Sequence, residues 1–451
     1  MGHKITPPEK PLKILTIDGG GLQAISTLLI LDELLDSIAK TNEVPHRKPR
    51  PCDVFDTIAG IGAGGWLAIL LGRFHMDITT CLSEWYKIIR NIAPRSKSEE
   101  IRMRAFKHSY FNPDRLVQQI DTMTKIYRTG DLLFDDHAED FRTRHVIVAA
   151  LRSDAEKYDL FRSYKIPENA ALKRQLLEGP VDPATFKISS AFGVTGAARY
   201  FSPSWDERMS SGQTRFNDRK FPNPHNITEL ALNEMWALYG TRVEISIVVN
   251  IGPGLPSTHD VRQIARRFSW GLVPPTSTSG YPKRARSPAS NEEQSLHGWK
   301  RTKTDPPGEG RSSQPKGPSV KFSLFENKVV SHPAENMHPI IRRDTVGSIK
   351  GRPVGAKLKR KEAEIENDIK KKLLYIYKEK GATIYHRLAP LQAPDGTARN
   401  DTSAPGLTLD STENFLKQPS TLEKIYRISE QLNMVTTTSG KQDTTTTISV
   451  C

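Results

Sequence analysis

Residues 13–24, KILTIDGGGLQA, and residues 54–66, VFDTIAGIGAGGW, decide the fold class of this chain. Both stretches begin with a short apolar run, pass through a glycine-rich turn and open into an apolar helical pattern. Two strand–turn–helix units in tandem are typical of a sheet whose faces are covered by helices. We therefore predict an α/β domain built on a central, mostly parallel sheet.

The same patterns give the boundaries of the elements. The first unit predicts a strand at 13–17 and a helix at 24–39, and the second predicts a strand at 54–59 and a helix at 66–72. Further β-branched runs and helical patterns extend the α/β alternation, and they predict strands at 145–150 and 243–251 and helices at 227–239 and 357–377.

The first glycine turn, at 18–21, follows a strand and precedes a helix, so its backbone amides converge on one point that could bind an anion. A dinucleotide-binding loop is an alternative, but its glycine pattern is broken at Ala24. It also leaves the second glycine turn, about forty residues later, unexplained. For either turn alone, a purely structural interpretation stays open, in which the glycines merely allow tight packing of strand against helix.

The second turn places Gly60, Gly62 and Gly64 at the spacing of a Gly-x-Ser-x-Gly elbow, the sharp strand-to-helix turn that exposes a nucleophile. With this pair of turns the chain resembles the patatin-like phospholipase family. Later segments resemble that family in the same order, namely 188–201, 216–220, 223–235, 247–255 and 385–388. The resemblance covers 11–431 and implies a three-layer α/β/α sandwich interrupted by an insertion.

The resemblance implies a lipid acyl hydrolase site of two residues without a histidine, a cofactor or a metal ion. Carried over by position, the amides of Gly19, Gly20 and Gly21 hold the oxyanion. Asp218 takes the general-base position, Gly62 the nucleophile position, and Gly60 and Gly64 are the elbow glycines. Because Gly62 has no side chain, we expect hydrolysis by this mechanism to fail.

The neighbours of these positions also depart from the family pattern. Gln23 and Ala24 stand where an arginine and a glycine usually end the first turn, and Arg219 and Lys220 replace a small pair after Asp218. The two basic side chains would crowd the site and could form an ion pair with Asp218. A solvated turn aspartate remains an alternative interpretation of Asp218.

Charge is unevenly distributed along the chain, which carries a formal net charge of +14 over 451 residues. Residues 271–361 contain 18 Lys and Arg against 7 Asp and Glu, and supply most of this charge. Their Pro, Ser and Gly content predicts disorder, because such a segment buries too little apolar surface. We therefore divide the chain into the main part of the domain (11–270), a basic insertion (271–356), the C-terminal part of the domain (357–432) and a flexible tail (433–451).

The basic insertion suggests partners other than a substrate. Two clusters, 283–286 and 300–303, are candidate nuclear import signals or sites for anionic lipid headgroups, although a solvated loop with no partner is the bland alternative. An apolar patch at 320–330 could dock a protein. Nucleic-acid binding is not expected, since the rest of the chain is nearly neutral.

The expected compartment is intracellular, namely the cytoplasm, since the first residues are polar and no apolar run reaches the roughly 18 residues of a membrane span. Association with membranes is expected from the basic insertion. Three scattered cysteines fit a reducing compartment. Three functions follow as hypotheses: a lipid- or protein-binding pseudoenzyme, an active lipid acyl hydrolase with another nucleophile, and a pure protein-interaction platform.

Overall fold

The computed structural model describes residues 8–21, 24–41, 48–103, 111–136, 138–153, 157–180, 182–197, 204–209, 212–217, 226–252, 354–390 and 412–437. Most of the predicted insertion and most of the predicted tail lie outside the described residues, as does the apolar patch at 320–330.

A six-stranded sheet forms the centre of the molecule in the order β4-β3-β2-β1-β7-β8. All neighbours are parallel except the edge pair β3–β4, and β5 and β6 form a separate antiparallel hairpin. The strands are β1 (Leu12–Ile17), β2 (Thr57–Ile61), β3 (His145–Leu151), β4 (Tyr158–Arg162), β5 (Trp205–Met209), β6 (Gly212–Phe216), β7 (Ile245–Ile251) and β8 (Tyr385–Leu388).

Helices connect the strands and cover the sheet. Their N-termini follow ordinary capping chemistry where they are exposed: Asp77 accepts the Thr80 amide before α4, and Asn112 caps α6. The helices are α1 (Ala24–Thr41), α2 (Pro51–Val54), α3 (Ala63–Ala68), α4 (Ile78–Ile92), α5 (Lys97–Arg102), α6 (Pro113–Tyr127), α7 (Ile188–Gly196), α8 (Thr228–Tyr239), α9 (Val354–Tyr377), α10 (Gly381–Ile384) and α11 (Pro419–Thr437).

The two faces of the sheet are buried in two separate apolar clusters, which confirms the predicted α/β fold with helices on both sides. β1 is buried along its whole length, as expected for a central parallel strand. Its alternate side chains point to opposite faces: Leu15 and Ile17 pack with α1, α3 and α4, whereas Leu12 and Ile14 pack with α8 and α9.

The predicted start of the second strand at residue 54 is wrong. Pro51 begins the helical turn α2, and the Asp53 carboxylate caps it by accepting the Arg50 backbone amide at 3.2 Å. Val54 is therefore helical, and β2 begins at Thr57. The helix predicted at 66–72 begins earlier, at Ala63, and continues from Ile69 as one turn of π-helix.

The C-terminal part of the chain joins the same sheet. β8 pairs in parallel with β7, and α11 packs against α1. Side-chain hydrogen bonds fix this helix: Ser37 donates to Ser429 at 2.9 Å, and the buried Lys13 ammonium donates to the Leu432 carbonyl. The sheet is therefore completed only by residues that follow the insertion.

A buried histidine makes the stability of this fold sensitive to acid. Burial lowers the pKa of His145, at the start of β3, from 6.5 to about 4, and the ring nitrogens contact the hydroxyls of Tyr239 and Thr57. Below pH 6.5 the unfolded chain binds a proton that the folded chain rejects, so the free energy of unfolding falls as the pH falls toward 4.

We expect His145 to lower the free energy of unfolding by about 2 kcal/mol between pH 7 and pH 5. Urea unfolding of the wild type and of His145→Gln at both pH values measures this effect, and the difference between the two proteins removes the contribution of carboxylates. Equal losses in the two proteins would contradict the assignment.

Candidate active site

The two glycine turns meet at the carboxyl ends of β1 and β2. A Cβ on Gly64 would lie 2.6 Å from the Asp18 carbonyl oxygen, and one on Gly60 would lie 2.7 Å from the Gly65 amide nitrogen. No side chain fits at either distance, so glycine is required for this close approach of backbone to backbone. The spacing seen in the sequence therefore has a steric cause.

Gly62 occupies the residue position between β2 and α3, with φ of +61° and ψ of −131°. This conformation is strained for any residue with a side chain, and it is the geometry expected of a nucleophile elbow. Among the residues that the structure describes, a Cβ built on Gly62 would meet one atom within 4 Å, the Gly19 Cα, at 3.4 Å. The position therefore faces the first glycine turn, and the described residues leave room there for a small side chain.

Thr195, on α7, fixes the second glycine turn through two hydrogen bonds of its hydroxyl. Its hydroxyl accepts the Gly62 amide at 2.8 Å and donates to the Ala149 carbonyl of β3 at 2.7 Å. α7 itself is fixed against α3 by the Trp66 indole, which donates to the Phe192 carbonyl at 2.8 Å. Thr195 could not be predicted from the sequence, because a threonine inside an apolar helix carries no signal of its own.

Asp218 lies outside the described residues, as do Arg219 and Lys220. The chain is described up to Asn217, whose amide donates to the Leu151 carbonyl at the carboxyl end of β3, at 3.1 Å. Ala149, which Thr195 contacts, lies two residues earlier on the same strand. Asn217, the residue before Asp218, is thus held at the carboxyl ends of the strands, where Gly62 also lies.

A polar network lies at the base of the first glycine turn. Asp18, directly before Gly19, accepts hydrogen bonds from Asn250 of β7 at 2.9 Å and from Arg387 of β8 at 2.5 Å. Arg387 also donates to the Asn250 amide oxygen. Both segments, 247–255 and 385–388, resemble the family in sequence, but their contact with the turn could not be predicted from that resemblance.

Three further features of the described residues bear on the site: a serine in α1, possible metal ligands and possible membrane-spanning helices. Ser26 lies in α1, where its oxygen contacts the Thr412 hydroxyl at 2.7 Å. In the part of the chain that the structure describes, no group of three His, Cys, Asp or Glu side chains could hold a metal ion. No described helix is long and apolar enough to cross a bilayer.

Comparison with known proteins agrees with this geometry. The model of the family described as patatin-like phospholipase matches residues 15–232, a range that contains both glycine turns. A patatin-like phospholipase 1 of Plasmodium falciparum is 36% identical over 87 residues, 19% of this chain and 12% of the relative.

Two further relatives match longer stretches. A cGAMP-activated phospholipase of Escherichia coli is 27% identical over 210 residues, 46% of this chain and 52% of the relative. Phospholipase A I of Arabidopsis thaliana is 27% identical over 183 residues, 36% of this chain and 13% of the relative. The chain thus spans at most about half the length of these three proteins. Residues 15–232 therefore form a patatin-like phospholipase domain.

Proposed function

We propose that this chain is a lipid-binding pseudoenzyme, which keeps the two-turn scaffold of the family and has lost hydrolysis by a serine and an aspartate. One observation carries the proposal. Gly62 has the backbone conformation of an elbow and space beside Gly19, but no hydroxyl to attack an ester. The backbone around Gly62 supports the proposal, because Gly60 and Gly64 still allow the close backbone approach that an elbow needs.

An active lipid acyl hydrolase with another nucleophile is the second candidate, because Thr195 places a hydroxyl at the elbow itself. Its geometry disfavours attack: the hydroxyl hydrogen is directed to the Ala149 carbonyl, and the oxygen accepts the Gly62 amide. A nucleophilic hydroxyl needs a base to take its proton, and a backbone carbonyl cannot serve as one. No described contact favours the third hypothesis, a pure interaction platform.

The proposal is tested by measuring binding and hydrolysis on the same preparation. We expect the wild type to bind a fluorescent ether-linked phospholipid, which cannot be hydrolysed, with a saturable change in anisotropy. A fluorogenic ester phospholipid should release no product. Product from a clean preparation would favour the second candidate, and product that survives Thr195→Val would exclude Thr195 as its nucleophile; absence of both binding and product would contradict lipid binding.

A matched pair of variants locates the binding. Gly62→Leu fills the space beside Gly19 and should weaken phospholipid binding at least about tenfold, roughly 1.4 kcal/mol. Gly130→Leu is the control, because Gly130 also has positive φ, +72°, and a Cβ there would meet none of the described residues within 4 Å. Equal affinity of the two variants would place the lipid elsewhere.

A further inference from the structure

The first glycine turn begins at a carboxylate that three strands hold. Asp18 lies at the end of β1, its backbone amide donates to the Ile251 carbonyl at 3.0 Å, and its side chain contacts β7 and β8. Because Gly19 follows directly, the position of this carboxylate fixes where the turn starts. The turn is thus anchored at its base by side chains rather than by its own sequence alone.

The anchor is largely buried. The side chains of Arg387 and Asp18 are 13% and 6% exposed, and Asn250 is fully buried. A Cβ on Gly252 would lie 3.0 Å from the Arg387 guanidinium and 3.2 Å from the Asp18 carboxylate, so a glycine leaves the space in which they meet. At this depth the carboxylate has little access to water, and the Asn250 and Arg387 donors stabilise its charge.

Loss of the Arg387 guanidinium would change the orientation of the first glycine turn directly. A buried carboxylate without its partner seeks other donors, and the backbone amides of the glycine turn follow Asp18 in the chain. Those amides are the ones that the family resemblance assigns to the oxyanion. Their orientation is therefore coupled to a side chain 369 residues away in the sequence.

We propose that Arg387 is a positioning residue for the first glycine turn. It holds Asp18 and Asn250 so that the turn keeps its place opposite Gly62. The strand that follows the insertion, outside the family match at 15–232, is then a working part of the site. The consequence for catalysis rests on the proposed function, whereas the consequence for the turn does not.

Hydrogen exchange measures the effect on the turn without any need for activity. In full-length protein, Arg387→Met should raise the exchange rate of a peptide covering 15–30 at least about tenfold while a core peptide covering 145–151 is unchanged. Arg387→Lys keeps the charge and should show a smaller increase, and it carries the test if Arg387→Met does not fold. An unchanged 15–30 peptide, or an increase common to all peptides, would overturn the proposal.

Arg142→Met is the matched control. Arg142 pairs with Asp56 at 3.0 Å, with side chains 20% and 18% exposed, before the amino end of β2 and so at the opposite edge of the sheet. It should leave the exchange of peptide 15–30 as in the wild type. A change as large as that of Arg387→Met would show that any lost ion pair loosens the turn and would overturn the assignment.

A kinetic readout separates positioning from simple support. In a Gly62→Ser background, Arg387→Met should lower kcat by about 10- to 100-fold, with KM changed less than about threefold. Unchanged kcat, or a change in KM alone, would contradict the positioning role. If Gly62→Ser is inert but the exchange result holds, the proposed loss of serine alone is wrong and the anchoring of the turn stands.

Discussion

Gly62→Ser should turn the protein into an ester hydrolase, with a rate on fluorogenic phospholipid at least about 10³-fold above the wild type. Loss of a serine nucleophile costs hydrolases on the order of 10⁶ in kcat, so a partial recovery is large enough to measure. The geometry supports the gain, because the new Cβ would lie 3.4 Å from the Gly19 Cα and so bring the hydroxyl beside the first glycine turn.

The new side chain also has a structural cost. At φ of +61° and ψ of −131°, any residue with a Cβ is strained by about 1–3 kcal/mol, so Gly62→Ser should unfold at lower urea concentration than the wild type. Gly62→Ala is the matched control: it carries the same strain without the hydroxyl, and it should be equally destabilised and inert.

A second control tests the base. Asp218→Ala in the Gly62→Ser background should abolish the gained activity if Asp218 removes the proton of the serine, as the family resemblance implies. A folded but inert Gly62→Ser protein would contradict the view that only the serine was lost. Activity of Gly62→Ser that survives Asp218→Ala would contradict the role of Asp218 alone.

Glu234→Ala should be the most destabilising single change among the side chains described, with a loss of about 3–5 kcal/mol in the free energy of unfolding. Glu234 and Arg162 form a buried pair, each side chain 1% exposed, with two hydrogen bonds at 2.5 and 2.9 Å. The Tyr164 hydroxyl donates to the same carboxylate at 2.7 Å. Removal of the carboxylate leaves a guanidinium in the interior between β4 and α8.

Urea unfolding measures this loss, and a double variant explains it. Arg162→Met with Glu234→Leu replaces both charges by apolar groups and should recover most of the stability, because the cost arises from the unpaired charge. Glu423→Ala is the surface control: Glu423 pairs with Arg427, with side chains 61% and 72% exposed, and should cost less than about 1 kcal/mol. A double variant as unstable as Glu234→Ala would contradict this account.

The central part of the fold could be predicted because its signals are local. β1, β3 and β7 are dominated by apolar residues, as is typical of strands buried on both faces. The hairpin β5–β6 was missed because its exposed and buried residues alternate among charged side chains, in the sequences WDERM and GQTRF. Such a pattern resembles a loop unless the partner strand is known.

The site was predictable only in its backbone. Glycines 19, 20, 21, 60, 62 and 64 stand out in sequence, and at Gly60 and Gly64 steric demands leave no other residue possible. The polar partners do not: Thr195 meets Gly62 across 133 residues and Arg387 meets Asp18 across 369. Pairs so distant leave no periodic trace in a single sequence, and the role of Asp218 remains a prediction.

During synthesis of the chain, the central strand β1 emerges long before its neighbour β7. The Leu12 carbonyl on β1 accepts a hydrogen bond from Ser246, 234 residues later, which at about 5–20 residues per second takes the ribosome roughly 10–50 s. During that interval one edge of a mostly apolar strand has no partner, a state that favours misassembly of nascent chains. Cells that express this protein should therefore depend on chaperones that bind it before β7 and β8 emerge.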